Sequence, residues 1–175
     1  MTECTKCALF NGRGSIVNGE GPVGAGIAFI GEAPGEKEDS TGRPFVGRSG
    51  KFLDSVLTAS GLDRKEVFIT NVVRCRPPGN RRPNDGEISS CRPCLIGELN
   101  EVRPKVIVTL GASALYALTG FSGRLGDIVG KEQSFELSGR ALTLVPNYHP
   151  SVVMRNKSLR APFAAAIKRA MALAK

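Results

Sequence analysis

An α/β fold with three layers, helices covering both faces of a central four-stranded and mainly parallel sheet, is what this 175-residue chain predicts. Three features carry that expectation. Four short runs rich in β-branched and aromatic residues stand at Ile27 to Ile30, Val67 to Val73, Val106 to Leu110 and Ala141 to Val145, each the length of a buried strand. Helical spacing of apolar residues separates them, and such alternation builds parallel βαβ units. The last run also pairs with Gln133 to Leu137 through the turn Ser138-Gly139-Arg140. In order, the helices are one carrying Phe52, Leu53, Val56 and Leu57, a second within Ile88 to Val102, a third over Ala112 to Leu118, and an alanine-rich one around Ala161 to Ala174. No internal repeat occurs. The glycine-rich stretch Asn11 to Gly26 reads as a flexible connection, and residues 1–175 read as a single domain.

Composition bounds the function. Lys and Arg outnumber Asp and Glu by 24 to 16, a net charge of +8, and the pI is near 9.6. Such a balance favours a polyanionic partner. Against it, the loop after the first strand concentrates Glu32, Glu36, Glu38 and Asp39. Those carboxylates would repel phosphate at close range, so they read as chemistry and the surrounding bases as the grip. No apolar stretch reaches the length of a membrane helix, and Met1-Thr2-Glu3-Cys4 does not resemble a signal peptide, so we expect a cytoplasmic protein. Five cysteines in a reducing compartment are not a disulfide framework. Two Cys-x-x-Cys intervals, Cys4 with Cys7 and Cys91 with Cys94, point instead to a metal or a cluster.

Open α/β sheets bind ligands beyond the carboxyl ends of their strands, and the residues there are polar. Glu32 follows the first strand, Asn71 closes the second, Gly111-Ala112-Ser113 follows the third, and Asn147-Tyr148-His149-Pro150-Ser151 the fourth. A carboxylate, an amide and the lone histidine at one sheet edge suit one small, flat, polar ligand. Dinucleotide binding fails on position, because Gly19-x-Gly21 and Gly24-x-Gly26 precede the first strand instead of following it.

Four motifs in order carry a resemblance: Gly31-Glu32-Ala33-Pro34-Gly35 with Glu38-Asp39; Thr41-Gly42-Arg43-Pro44-Phe45-Val46-Gly47; Thr70 to Pro78; and His149 to Asn156. Together they resemble the family 4 uracil-DNA glycosylases, over Cys4 to Asn156. The resemblance implies a uracil-DNA glycosylase-like fold, hydrolysis of the N-glycosidic bond of deoxyuridine in DNA to leave an abasic site, and a structural four-iron four-sulfur cluster with no catalytic metal. It also implies uracil-containing DNA as partner, a monomer, a nucleoid-associated place if the source is a prokaryote, and a downstream abasic-site endonuclease to take the product.

The chemistry can be set against the residues. Uracil stacked in a duplex must be rotated out, at a cost of a few kcal/mol. Phe45 would stack on the flipped base, as the family's phenylalanine does. One amide at Asn71 can donate to uracil O4 and accept from N3–H, whereas cytosine offers the opposite pattern. As the base leaves as an anion, His149 is suited to donate to its O2, and a neutral imidazole suffices if a neighbour holds the other nitrogen. Glu32, or Glu38 in its place, would orient water and stabilise the cationic sugar. Glu38 has a plainer reading as a partner of Arg43. Where related enzymes can carry an aspartate that handles water, Ala33 stands here, and backbone groups of Ala33 and Pro34 would line the uracil edge. The segment Ser151 to Asn156 resembles the loop that enters the DNA stack, with Met154 as apolar wedge and Ser151 and Arg155 on phosphates. Arg74, Arg76, Arg81, Arg82, Lys157 and Arg160 extend that track.

Two cysteine sets compete. Spacing alone selects Cys4, Cys7, Cys91 and Cys94 as a zinc site; the resemblance selects Cys4, Cys7, Cys75 and Cys91 for the cluster, leaving Cys94 spare. Two other functions stay open: a non-catalytic iron-sulfur DNA-binding or redox module, and a relative that traps the abasic sugar covalently. Trapping enzymes carry a histidine-containing insertion after Pro-Phe-Val-Gly, and Arg48-Ser49-Gly50-Lys51-Phe52 contains no histidine.

Overall fold

A computed structural model describes residues 3–175; Met1 and Thr2, the first residues of the polar N-terminus, lie outside the described residues. Its sheet has five strands, β1 (Ile27–Gly31), β2 (Phe68–Asn71), β3 (Val106–Leu110), β4 (Gln133–Leu137) and β5 (Arg140–Asn147), in the order β2-β1-β3-β5-β4. Neighbours run parallel except the β4–β5 hairpin. The fifth strand is the hairpin partner of β5, which extends the expected four-stranded sheet at one edge. Helices α1 (Glu36–Thr41), α2 (Arg48–Ala59), α3 (Asp85–Val102), α4 (Ala112–Thr119), α5 (Pro150–Arg155) and α6 (Arg160–Ala174) complete the layers.

The inner strands read as unbroken apolar runs because both of their faces are covered. Ala28 and Ile30 of β1 pack with Leu95 and Leu99 of α3 and Leu115 of α4. Ile27 and Phe29, pointing the other way, meet Leu53 and Leu57 of α2 and Phe163 and Ile167 of α6. Two short helices lacked an apolar period to announce them. Pro150 opens α5, where its missing N–H costs nothing, and the His149 side chain caps that helix by accepting from the Ser151 N–H.

The stretch from Asn11 to Gly26 is not a loose connection. Val17 donates to the Arg74 carbonyl, Glu20 bridges Ile69 of β2, and Gly14 and Ser15 donate their N–H groups to the buried Asp39 carboxylate. Its glycines permit close approach: a Cβ on Gly19 would stand 2.2 Å from the Phe68 ring, and one on Gly21 would stand 2.3 Å from the Val67 carbonyl oxygen.

Candidate active site

Strand order reverses at β1, whose neighbours are β2 on one side and β3 on the other, and the crevice of an open sheet lies at such a point. A cavity of about 830 Å³ opens there, lined by Glu32 after β1, Asn71 at the end of β2, Gly111 after β3, and Tyr148 and His149 after β5. Ala33, Pro34 and Phe45 share its wall. The carboxylate, amide and imidazole singled out in the sequence thus meet in one space.

Asn71 and Phe45 converge over Gly31. A Cβ there would fall 2.4 Å from the Phe45 ring and 2.6 Å from Asn71 Oδ1, so only glycine leaves room for both. Asn71 is 2% exposed, yet its Oδ1 is buried without a hydrogen-bond partner. An orphaned buried acceptor is costly and calls for a donor. Phe45 sits at a φ of 52°, a left-handed conformation that a bulky residue adopts only when its surroundings force it. The forcing groups are visible. Arg64 donates to the carbonyls of Pro44 and Phe45 at 2.5 and 3.0 Å while pairing with Asp54, and Gly50 lets the Phe45 carbonyl approach α2. No local sequence signal marks Arg64 for this work, because the two carbonyls it holds lie 19 and 20 residues away.

Glu38 is the other brace. Its carboxylate accepts the N–H groups of Gly35, Val46 and Gly47 at 3.2, 2.9 and 2.7 Å, tying the acidic loop to the Phe45 loop. Arg43, the expected partner of Glu38, instead forms a forked pair with Glu20. Glu38→Ala strands these donors and is expected to destabilise the fold by about 2–3 kcal/mol, measured by urea unfolding.

The His149 ring lies 6.2 Å from that of Phe45, centroid to centroid. Gly111, at a φ of 101°, brings its backbone up to the His149 Cβ, where a side chain would crowd it. The Ser151 hydroxyl lies 2.8 Å from His149 Nδ1, and the Ser151 N–H donates to the same nitrogen. With Nδ1 occupied as an acceptor, the proton belongs on Nε2. Burial holds the His149 pKa below its ordinary value of 6.5, against the pull of the Glu32 carboxylate in the opposite direction. The imidazole is therefore neutral at pH 7. As the pH falls below 6.5 the unfolded chain takes up a proton that the native ring resists, so stability declines toward the depressed native pKa. Because the protein has one histidine, its NMR titration is unambiguous: a midpoint below 6.5 with the proton on Nε2 is expected.

A family model, the Uracil DNA glycosylase superfamily, matches residues 18–171. The chain belongs to this superfamily. It is 43% identical over 167 residues to a type-4 uracil-DNA glycosylase of Pyrobaculum aerophilum, covering 93% of this chain and 85% of that protein. Type-4 uracil-DNA glycosylases of Sulfurisphaera tokodaii and Thermotoga maritima are each 42% identical, covering 91% and 90% of this chain and 75% and 81% of theirs.

In this superfamily member Lys37, Arg48, Arg81 and Arg155 line the cavity together with Glu32, Glu36 and Glu38, and Arg81 is already paired with Glu87. Arg74 does not belong to the phosphate track: it is 1% exposed and pairs with Glu98 at 2.7 Å, out of reach of any phosphate. On α5, Met154 is half-buried and absent from the cavity wall, whereas Val152 is 38% exposed and lines it. Ser151 is engaged with His149, and Arg155 is exposed at the rim.

Cys4, Cys7, Cys75 and Cys91 line a second, much tighter cavity of about 10 Å³ on the same measure. Cys94 faces a different groove, with Phe68 and Glu98. Arg13 reaches from the N-terminal segment to donate to the Cys4 carbonyl at 2.7 Å and the Cys75 sulfur at 3.4 Å. Burial raises the Cys75 pKa and pushes that of Cys91 up to about 11. Among the described residues, no three His, Cys, Asp or Glu side chains are gathered closely enough to hold a single metal ion. No helix among them is long and apolar enough to cross a membrane.

Proposed function

We propose that this protein is a monofunctional uracil-DNA glycosylase that hydrolyses the N-glycosidic bond of a flipped-out deoxyuridine and leaves an abasic site. The observation that carries this reading is the buried, unpartnered Asn71 Oδ1 beside the Phe45 ring. Uracil N3–H supplies the missing donor, uracil O4 takes the amide N–H, and the ring stacks on Phe45. The amide must be oriented so that Oδ1 meets N3–H; cytosine, with a bare N3 and an amino group, would leave both partners unpaired.

Cleavage builds positive charge on the sugar and negative charge on the base. His149, neutral and held at Nδ1 by Ser151, donates from Nε2–H to uracil O2. Glu32 orients the water and stabilises the cationic sugar, while Glu38, its carboxylate already committed to backbone N–H groups, holds the Phe45 loop in place. Backbone groups of Ala33 and Pro34 close the base edge. Val152 is the exposed apolar residue at the mouth and fills the stack that the base vacates, with Arg155 on the adjacent phosphate. DNA binding then weakens steeply with salt.

The thiol cavity fits a four-iron four-sulfur cluster held by Cys4, Cys7, Cys75 and Cys91. A cluster spreads its ligands wider than one zinc ion does, and its positive iron makes thiolates of cysteines that burial otherwise keeps protonated. When bound it supplies a structural crosslink between the N-terminal segment and the 75–91 region. Cys75→Ser is expected to lower the iron bound per chain and Cys94→Ser to leave it unchanged, measured by iron and sulfide assay. We read residues 1–175 as one monomeric domain whose product passes to an abasic-site endonuclease.

Incubation with a labelled oligonucleotide containing one uracil, followed by alkali, tests the activity. Strand cleavage at uracil, with none at cytosine or thymine in the same place, is the expected result. Intact strands throughout would refute it.

A further inference from the structure

Arg74 is the largest fully buried side chain among the described residues, and a buried cation needs partners that offset its lost hydration. Its guanidinium reaches in two directions. Nη1 donates to the main-chain carbonyl of Asn71, and Nη2 donates to Glu98 Oε2 at 2.7 Å. Glu98 is itself shared, accepting the Thr70 hydroxyl of β2 at 2.8 Å and the Gly19 N–H at 2.9 Å. The third nitrogen, Nε, is buried with no acceptor, and Arg74 borders the cavity lined by Cys4, Cys7, Cys75 and Cys91. An orphaned donor beside a cavity of thiols fits an occupant that presents sulfur acceptors and negative charge.

We propose that Arg74 is a positioning residue shared by the two sites: Nη1 fixes the Asn71 carbonyl, and with it the angle at which the Asn71 amide meets the base, while the charge and the free Nε–H serve the thiolate-held cluster. This rests on reading the large cavity as a uracil site and the thiol cavity as a cluster site. Asn71 is the last residue of β2, so its carbonyl stands where the chain leaves the sheet toward Cys75 and its direction needs a hold. Arg74 supplies that hold from three residues downstream. Substitution of the arginine therefore acts on base recognition without touching the base.

The test uses the purified iron-loaded protein and two variants. Arg74→Lys keeps the charge, but one ammonium cannot serve Asn71 and Glu98 in the same fixed fork. Iron and sulfide per chain and affinity for abasic-site DNA are expected to stay at wild-type values, while inhibition by free uracil weakens about tenfold through misplacement of the amide. Arg74→Gln removes the charge and is expected to move the cluster's reduction potential to more negative values, because a nearby cation favours the reduced form. Unaltered uracil inhibition in Arg74→Lys would overturn the assignment, as would loss of iron from that variant, which would make Arg74 a structural residue alone. An unaltered potential in Arg74→Gln overturns the part concerning the cluster; if Arg74→Gln does not fold, the lysine variant decides the assignment by itself. Failure of the wild-type protein to release uracil would count against the glycosylase reading instead, and the potential would still test the charge.

Discussion

Asn71→Asp is expected to lower the rate of uracil release by about 10⁴-fold, the penalty of a polar site whose partner no longer matches. The exchange is nearly isosteric, so packing around β2 is kept. What changes is the pattern of donors and acceptors: the carboxylate has no N–H for uracil O4 and sets a negative charge against it. Burial makes the mismatch expensive, since Asn71 is 2% exposed and a base seated against it leaves no room for water to repair the pairing. Single-turnover release from a uracil oligonucleotide measures the effect, with the melting temperature as the control for folding. Near-normal release by a folded variant would mean that the base is read elsewhere.

Glu32→Gln is expected to lower kcat by about 10³-fold, within the range of a lost general base plus lost stabilisation of a developing cation. Its signature should differ from that of Asn71. Glu32 acts on the sugar and the water, so inhibition by free uracil should persist in Glu32→Gln and fail in Asn71→Asp. Glu38→Gln gives a third pattern, in which stability falls and the Phe45 loop loosens, because that carboxylate holds the N–H groups of Val46 and Gly47. Equal losses of kcat in the two glutamate variants, without a stability difference, would contradict this division of labour.

The inner strands were legible because burial on both faces writes an unbroken apolar run, as at Val106–Leu110, while Gln133–Leu137, mostly exposed at the sheet edge, was legible through the turn that joins it to the last strand. The placement of Glu32, Asn71 and His149 around one cavity followed from strand polarity, since parallel strands put all their carboxyl ends on one side. Long-range polar partners were not legible. Glycine-rich composition suggested a loose segment from Asn11 to Gly26, but Asp39, Glu98 and the edge of β2 satisfy its N–H groups from far along the chain. Arg74 looked like one more surface base because charge says nothing of burial, and its enclosure depends on Glu98, 24 residues away. Met154 lost its place at the rim to Val152 because the segment forms a helix, which turns alternate residues to different sides.

The most direct measurement is the crystal structure of the protein with free uracil. Uracil is expected in the large cavity with O4 and N3–H on the Asn71 amide, its ring against Phe45 and O2 at His149 Nε2. Uracil bound outside that cavity, or seated with its N3 edge turned away from Asn71, would contradict the assignment.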